Sequence, residues 1–257
     1  MNDDMGYELS RYTRQILFSE LGESGQKKLL QGRITIVGTG GLGCTSANLL
    51  ARAGVGYIRL IDHDMLKIHN LHRQILYETK DLRKGIPKVL IATEKLKDIN
   101  PEIIIEAKVA EINSENVEDL LSSCDLVIDG TDNLKTRFVI NEACVRHGIP
   151  WIYGACVASC GYMMPIIPRE TACLSCLISQ EAAHKSFFTA QTSGIIGPVP
   201  ILIAALQAMA AIKIMTDRMD SLCRDMIFVD LWKNEYSHIK VLRDSKCLIC
   251  GKRNPPA

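Results

Sequence analysis

The chain has 257 residues, 47% of them hydrophobic and 23% charged, proportions of a folded globular protein that exclude wholesale disorder. Thirty basic residues against 29 acidic ones leave a net charge of +1, without the basic excess of a dedicated nucleic-acid or membrane-surface binder. The length suits one large α/β domain or at most two small ones, and with no linker or repeat in sight one continuous domain over 1–257 is expected.

Residues 1–30 read as short amphipathic helices, with Leu9, Tyr12, Ile16, Leu17 and Leu21 on one period and Arg11 and Arg14 among them. The polar, acidic start has none of the features of a signal peptide. The β-branched run 33–37 predicts a buried strand, and Gly38-Thr-Gly-Gly-Leu-Gly43 follows it at once. A small-residue helix over 44–53, Gly54-Val-Gly56 and a second strand over 57–61 complete a βαβ unit that ends at Asp62. Helices are predicted over 88–99, 117–121 and 134–147, and strands over 103–107, 125–129 and from 150. This alternation predicts a doubly wound, mostly parallel sheet with its ligand at the strand C-terminal ends over 33–150.

The second half is less regular. Residues 161–170 are expected to form a hairpin strand, 178–194 a mobile loop, 198–215 a helix, and 225–230 and 236–242 two further strands. The longest apolar stretch, 195–214, contains Pro198, Pro200, Gln207 and Lys213, so it reads as a buried helix and not as a membrane span. A cytoplasmic protein is expected.

Three groups of residues carry chemistry. Gly38, Gly40 and Gly43 fit G-x-G-x-x-G, whose glycines let phosphate approach backbone N–H groups at a helix N-terminus. Asp62, 19 residues past Gly43, is placed to accept ribose hydroxyls. The loop alone does not choose between NAD, FAD and ATP. The stretch after it favours a triphosphate: Asp62-His-Asp64, Asn70, Arg73, Gln74 and Lys88 supply polar and cationic groups that a dehydrogenase ribose site does not need. Arg73 and Lys88 would neutralise charge on a leaving pyrophosphate, and Asn70 and Gln74 would hold phosphate oxygens. Second, Asp129-Gly-Thr-Asp-Asn133 ends a buried strand; Asp132 is the expected Mg²⁺ ligand, while Asp132 or Asn133 is also suited to cap the next helix. Third, Cys173-Leu-Ser-Cys176 and Cys247-Leu-Ile-Cys250, 70 residues apart, together make a Cys₄ set for structural Zn²⁺ stapling the C-terminal tail to the body; a redox C-x-x-C is the alternative. Cys44, Cys124 and Cys144 read as packing residues, and Cys156 and Cys160 as facing the site.

Arg11-Tyr-Thr-Arg-Gln15, the Gly38–Cys44 loop, Asp62-x-Asp64, Asn70-Leu-His-Arg-Gln74, Pro87-Lys88, Asn100-Pro101, Gly130-Thr-Asp-Asn133 and the two cysteine pairs occur in an order that resembles the ThiF/MoeB/HesA family, relatives of ubiquitin-activating enzymes. The resemblance covers almost the whole chain. It implies an ATP- and Mg²⁺-dependent adenylyltransferase acting on the C-terminal glycine carboxylate of a small ubiquitin-like sulfur carrier ending in Gly-Gly, for thiamine, molybdopterin or related sulfur transfer. It implies that Gly41 and its neighbours hold the nucleotide, Asp62 the ribose, Asn70, Arg73 and Lys88 the phosphates and Asp132 the magnesium, with Asp64, Gln74 and Asn133 beside them. Arg14 would reach the neighbouring subunit's site in a homodimer, and residues 151–257 would bind the carrier and the zinc. One departure concerns covalent capture: where relatives often carry a cysteine before a Gly194-Ile-Ile-Gly-Pro198 motif, this chain has Ala190. Sulfur is then expected from a separate persulfide donor, with Cys156 or Cys160 as the lesser alternative nucleophiles. Adenylation of a peptide or modified-tRNA carboxylate, a nicotinamide oxidoreductase and a non-catalytic partner subunit are the competing readings.

Overall fold

A computed structural model of the chain describes residues 7–82, 85–178 and 190–251. Eight strands form one sheet in the order β3-β2-β1-β4-β5-β6-β7-β8. They are β1 (Arg33–Val37), β2 (Tyr57–Ile61), β3 (Ile104–Lys108), β4 (Leu126–Asp129), β5 (Trp151–Val157), β6 (Cys160–Ile166), β7 (Met226–Asp230) and β8 (Glu235–Ile239). The first five lie parallel, and β5 through β8 continue antiparallel. The expected doubly wound sheet with an antiparallel extension is therefore the fold. Strand order reverses between β1 and β4, which opens a crevice at their C-terminal ends.

The inner strands read as continuous apolar runs because both faces are covered. One core joins Ile34, Ile36, Ile58, Leu60 and Ile128 to α4 (Gly41–Ala53), α5 (Lys88–Ile99) and α10 (Pro198–Met215). The other joins Val37, Ile61, Val127 and Trp151 to α6 (Val117–Leu120), α7 (Leu134–His147) and α8 (Leu174–Leu177). α4 stops at Gly54, whose φ of +84° supplies the left-handed C-terminal turn.

Among the described residues, α10 is the one helix long and apolar enough to cross a membrane. It lies instead on β5 and β6 and against α4. Gln207 pins it there: Nε2 donates to the Asp129 carbonyl at 2.8 Å and to that of Ile152 at 3.3 Å, and Oε1 accepts from Ser46 Oγ at 3.2 Å. Gly154 makes room for that amide, since a Cβ there would sit 2.4 Å from Gln207 Nε2.

The N-terminal helices depart from the expected single apolar face. They are α1 (Tyr7–Ser10), α2 (Thr13–Ile16) and α3 (Gly22–Gln31). Tyr12 and Leu21 are buried, but Leu17 is 69% exposed, because α2 ends at Ile16 and the period does not run on. Of the loop expected over 178–194, residues 179–189 lie outside the described residues, and α9 (Ala190–Ser193) follows.

Candidate active site

A cleft of about 1440 Å³ opens over the C-terminal ends of β1, β2 and β4. Its floor is the turn from β1 into α4. Gly38 has φ +87°, and a Cβ there would stand 2.6 Å from the Gly130 carbonyl oxygen. A Cβ on Gly43 would fall 1.8 Å from the Gly38 carbonyl oxygen. These two positions admit glycine alone, while Gly40 and Gly41 line the cleft.

The acid at the end of β2 is held from several sides. Asp62 Oδ2 accepts from Thr39 N at 2.6 Å and from Thr39 Oγ1 at 3.1 Å, and Oδ1 accepts from Asp64 N at 2.9 Å. Lys88, the first residue of α5, places Nζ 3.1 Å from Asp62 Oδ2 and 2.9 Å from Asp64 Oδ2. Burial works against the ammonium, but the two carboxylates outweigh it and raise its pKa. Lys88 is thus paired with two acids, of which Asp64, the exposed partner, is the more easily displaced. Tyr77 is buried beneath this group and donates its hydroxyl to the Thr39 carbonyl at 3.0 Å.

The segment after β2 brings the remaining cationic and amide groups to the same cleft. Asn70 closes a 3-10 turn, its Oδ1 accepting from Lys67 N at 2.9 Å. Arg73 Nη1 donates to the His69 carbonyl at 2.7 Å. Burial lowers the Arg73 pKa, and the carboxylate of Asp132 opposes that. Gln74 is buried, and its Oε1 has no hydrogen-bond partner. A buried acceptor of this kind at a cleft wall is satisfied by a ligand or water donor.

At the end of β4, Asp129 and Asp132 divide the work. Asp129 is fully buried and faces inward: Oδ1 accepts from Thr131 N and Oγ1, and Oδ2 from Arg137 Nε at 2.8 Å. Arg137 Nη2 also donates to the carbonyls of Thr131 at 2.6 Å and Gly154 at 2.9 Å. Sequence reasoning missed Arg137; the available signal was a strand-terminal Asp in a buried run, which requires a cationic partner. Asn133 caps α7, its Oδ1 accepting from Thr136 N at 2.9 Å. Of the two caps the sequence offered, Asn133 is the one used, and its side-chain oxygen is committed to the helix. Asp132 stays exposed in the cleft wall. Arg14 is exposed and does not line the cleft of its own chain.

Cys156 lines the cleft, but burial pushes its thiol up to about 12 despite Arg137 nearby. Cys160 lies outside the cleft lining, and burial and Asp230 raise it too. Burial thus disfavours the thiolate, the nucleophilic form, at both. The Ala190 side chain is outside what the structure describes.

The four paired cysteines converge. Sγ–Sγ separations are 4.0 Å for Cys173–Cys176, 3.7 Å for Cys173–Cys247 and 3.4 Å for Cys176–Cys250. Tetrahedral thiolates about 2.3 Å from a zinc ion stand roughly 3.8 Å apart, so this set fits a closed four-sulfur metal site. Burial and the neighbouring sulfurs raise the Cys173 thiol, and burial raises that of Cys176 to about 11. The amides of Cys250 and Ile249 outweigh burial and lower that of Cys247. A bound cation is what lets all four ionise together. Arg243 ties the second pair down, donating to the Cys250 carbonyl and, at 2.7 Å, to that of Arg169.

A model of the ThiF family matches residues 12–249. The chain belongs to the ThiF family. Over 249 residues it is 39% identical to the sulfur carrier protein ThiS adenylyltransferase of Bacillus subtilis (strain 168), covering 96% of this chain and 73% of that one. It is 34% identical over 255 residues to the enzyme of the same name from Escherichia coli (strain K12), covering 99% and 98%. The crystal structure of E. coli MccB shares the fold, with a TM-score of 0.82 at 24% identity over 97% of this chain and 74% of that one.

Proposed function

We propose that this ThiF-family chain adenylates the C-terminal glycine carboxylate of a small ubiquitin-like sulfur carrier ending in Gly-Gly, the first step towards a thiocarboxylate for thiamine, molybdopterin or related sulfur-transfer biosynthesis. The observation that carries the reading is the gathering of Arg73, Lys88 and Asp132 around one glycine-floored cleft. Relatives named for adenylation of sulfur carriers support it. In the reaction a carrier carboxylate oxygen attacks the α-phosphorus of ATP; the bond to the β-phosphate oxygen breaks, leaving acyl-adenylate and pyrophosphate.

The residues fit that charge flow. Gly40, Gly41 and the start of α4 would seat phosphate on backbone N–H groups. Asp62 would take a ribose hydroxyl at its less occupied Oδ1. Arg73 and Lys88, with Asn70 and Gln74, would stabilise the charge gathering on the leaving pyrophosphate. Asp132 would hold Mg²⁺, which supplies further charge neutralisation when bound. Asp64 would hold Lys88 until phosphate replaces it. The one continuous sheet supports a single adenylation domain. With the thiolates of Cys156 and Cys160 both disfavoured by burial, sulfur would come from a separate persulfide donor.

A homodimer completes the reading, with Arg14 contributed to the neighbouring subunit's cleft. Its support is an apolar surface on packed helices: Met209 on α10 and Leu49 on α4 are exposed. Carrier-dependent exchange of labelled pyrophosphate into ATP tests the chemistry. Wild type should exchange with Mg²⁺ and a Gly-Gly carrier, and Asp132→Ala should lose at least about 100-fold. Exchange that persists in Asp132→Ala would remove that residue from the magnesium site. For the cysteines we propose structural Zn²⁺. Metal analysis should find one zinc per chain, and Cys176→Ser should lose it together with thermal stability; a metal-free protein of unchanged melting temperature would refute the assignment.

A further inference from the structure

One buried cation of the cleft wall takes no part in the phosphate site. Arg137, on α7, is 7% exposed and lines the cleft. A guanidinium carries five N–H donors. Three are spent inside the protein: Nε on Asp129 Oδ2 at 2.8 Å, and the two of Nη2 on the carbonyls of Thr131 at 2.6 Å and Gly154 at 2.9 Å. Nη1 makes no hydrogen bond among the described residues, yet it is not sealed off: the buried side-chain atoms left without a partner there belong to Thr35, Gln74 and Trp151. Two donors of a buried cation therefore open on the cleft, where water or a ligand must meet them.

The group that carries this edge is fixed. Its Cζ stands 5.3 Å from the centre of the Tyr153 ring. Asp129 is itself pinned by Thr131 N and Oγ1 and, at 3.3 Å, by Gly154 N. A guanidinium held in this way has little side-chain entropy left to lose on binding. What meets it follows from charge and place. Paired N–H donors on a cation suit an anionic oxygen. Arg73 and Lys88 are given to phosphate in the proposed reaction. Lys67 and Lys135, the other lysines of the cleft, are exposed and lack such a fixed geometry. Asp62 follows β2, Gly40 and Gly41 lie at the turn from β1, and Arg137 bridges β4 and β5. In the order β2-β1-β4-β5, a ribose at Asp62 and phosphates at the β1 turn leave the β4–β5 side to the attacking group.

We propose that Arg137 Nη1 holds one oxygen of the carrier's C-terminal carboxylate beside the α-phosphate, so that the other oxygen attacks. The inference rests on the carrier-adenylation reading and names the group that receives the acyl substrate. A bond forms from the carboxylate oxygen to the α-phosphorus. The bond from that phosphorus to the bridging oxygen breaks, its electron pair leaving on pyrophosphate, and no proton moves. Asp129 balances the Arg137 charge, so the guanidinium orients the carboxylate without quenching it as a nucleophile.

A brace between strands and a carboxylate holder respond differently to the carrier's last group. The probe is B. subtilis ThiS as its natural C-terminal acid and as the C-terminal amide, each bound in the presence of Mg²⁺ and α,β-methylene-ATP, which blocks reaction. Wild type should bind the acid about tenfold more tightly than the amide. Arg137→Lys, which keeps a cation against Asp129, should bind the two alike, with its affinity for α,β-methylene-ATP unchanged. Where Arg137→Lys does not fold, the neutral pair Asp129→Asn with Arg137→Gln removes the same donor without stranding a buried charge, and the comparison is made on it. No preference for the acid in wild type, or a preference that survives the substitution, would overturn the proposal and leave the adenylation reading standing. Nucleotide affinity lost with the preference intact would give the open edge to a phosphate and overturn it too. Absence of binding and of pyrophosphate exchange with ThiS and with every other Gly-Gly carrier would overturn both readings.

Discussion

Tyr77 shows how a residue remote from any ligand sets a site. Its one hydroxyl proton goes to the Thr39 carbonyl; Thr39 in turn fixes Asp62, and Asp62 shares Lys88 with Asp64. Glycine loop, Asp62 and Lys88 are therefore one network with a phenol at its base. Tyr77→Phe keeps the ring packing and removes the link. A hydrogen bond of about 1 kcal/mol predicts an ATP KM raised about fivefold with kcat unchanged, read by steady-state exchange; an unchanged KM would show the loop ordered without it. The members of the network were unequally legible in sequence. Asp62 and Lys88 stand in local patterns whose chemistry requires those residue types. Tyr77 and Gln207 act through contacts far along the chain, and neither spacing nor composition marks them; Arg137, close to Asp129 in sequence, is marked only by that buried acid's need for a cation. Asn133 and Asp132 are neighbours of similar shape, and only the helix geometry decides which one caps.

The strands follow from composition because each inner strand is buried on both faces. Predicted bounds fail where burial fails: the run 236–242 is apolar enough for a strand, yet β8 is wholly exposed at the sheet edge and ends at Ile239. The other edge, β3, is secured by charge. Glu106 lies opposite Arg59 on β2 and accepts from Arg59 Nε at 2.6 Å, from Lys108 Nζ at 2.8 Å and from the Tyr57 hydroxyl. Burial works to raise its pKa, but Lys108, Tyr57 and Arg59 outweigh that and hold it at about 2. A folded-state pKa below the unfolded one means stability that is present above the unfolded value and lost as pH falls towards the folded one. Denaturant titrations should therefore show wild type exceeding Glu106→Gln by a constant margin above about pH 5, shrinking to nothing near pH 2. A margin independent of pH would place the effect in packing and not in charge.

On the scale of the whole molecule, the cleft lies at the one place where strand order reverses, and the antiparallel strands extend the sheet beyond it. Arg14 does not line its own chain's cleft, and that gives the proposed homodimer a complementation test. Arg14→Ala and Asp132→Ala should each be inactive alone. Mixed by unfolding and refolding together, half of the dimers pair one of each, and each mixed dimer holds one intact site. Exchange activity should return to about a quarter of wild type; no recovery would mean that both residues serve the same subunit's site.

The four-sulfur cluster has a topological meaning as well as a local one. Cys173 and Cys176 meet Cys247 and Cys250, so a metal there closes residues 176–247 into a ring that contains α10, β7 and β8. A protease cutting anywhere within that ring opens the backbone without parting the molecule. With the proposed metal bound, the two pieces would stay fastened there and across the sheet, and would separate only when chelator and denaturant act together.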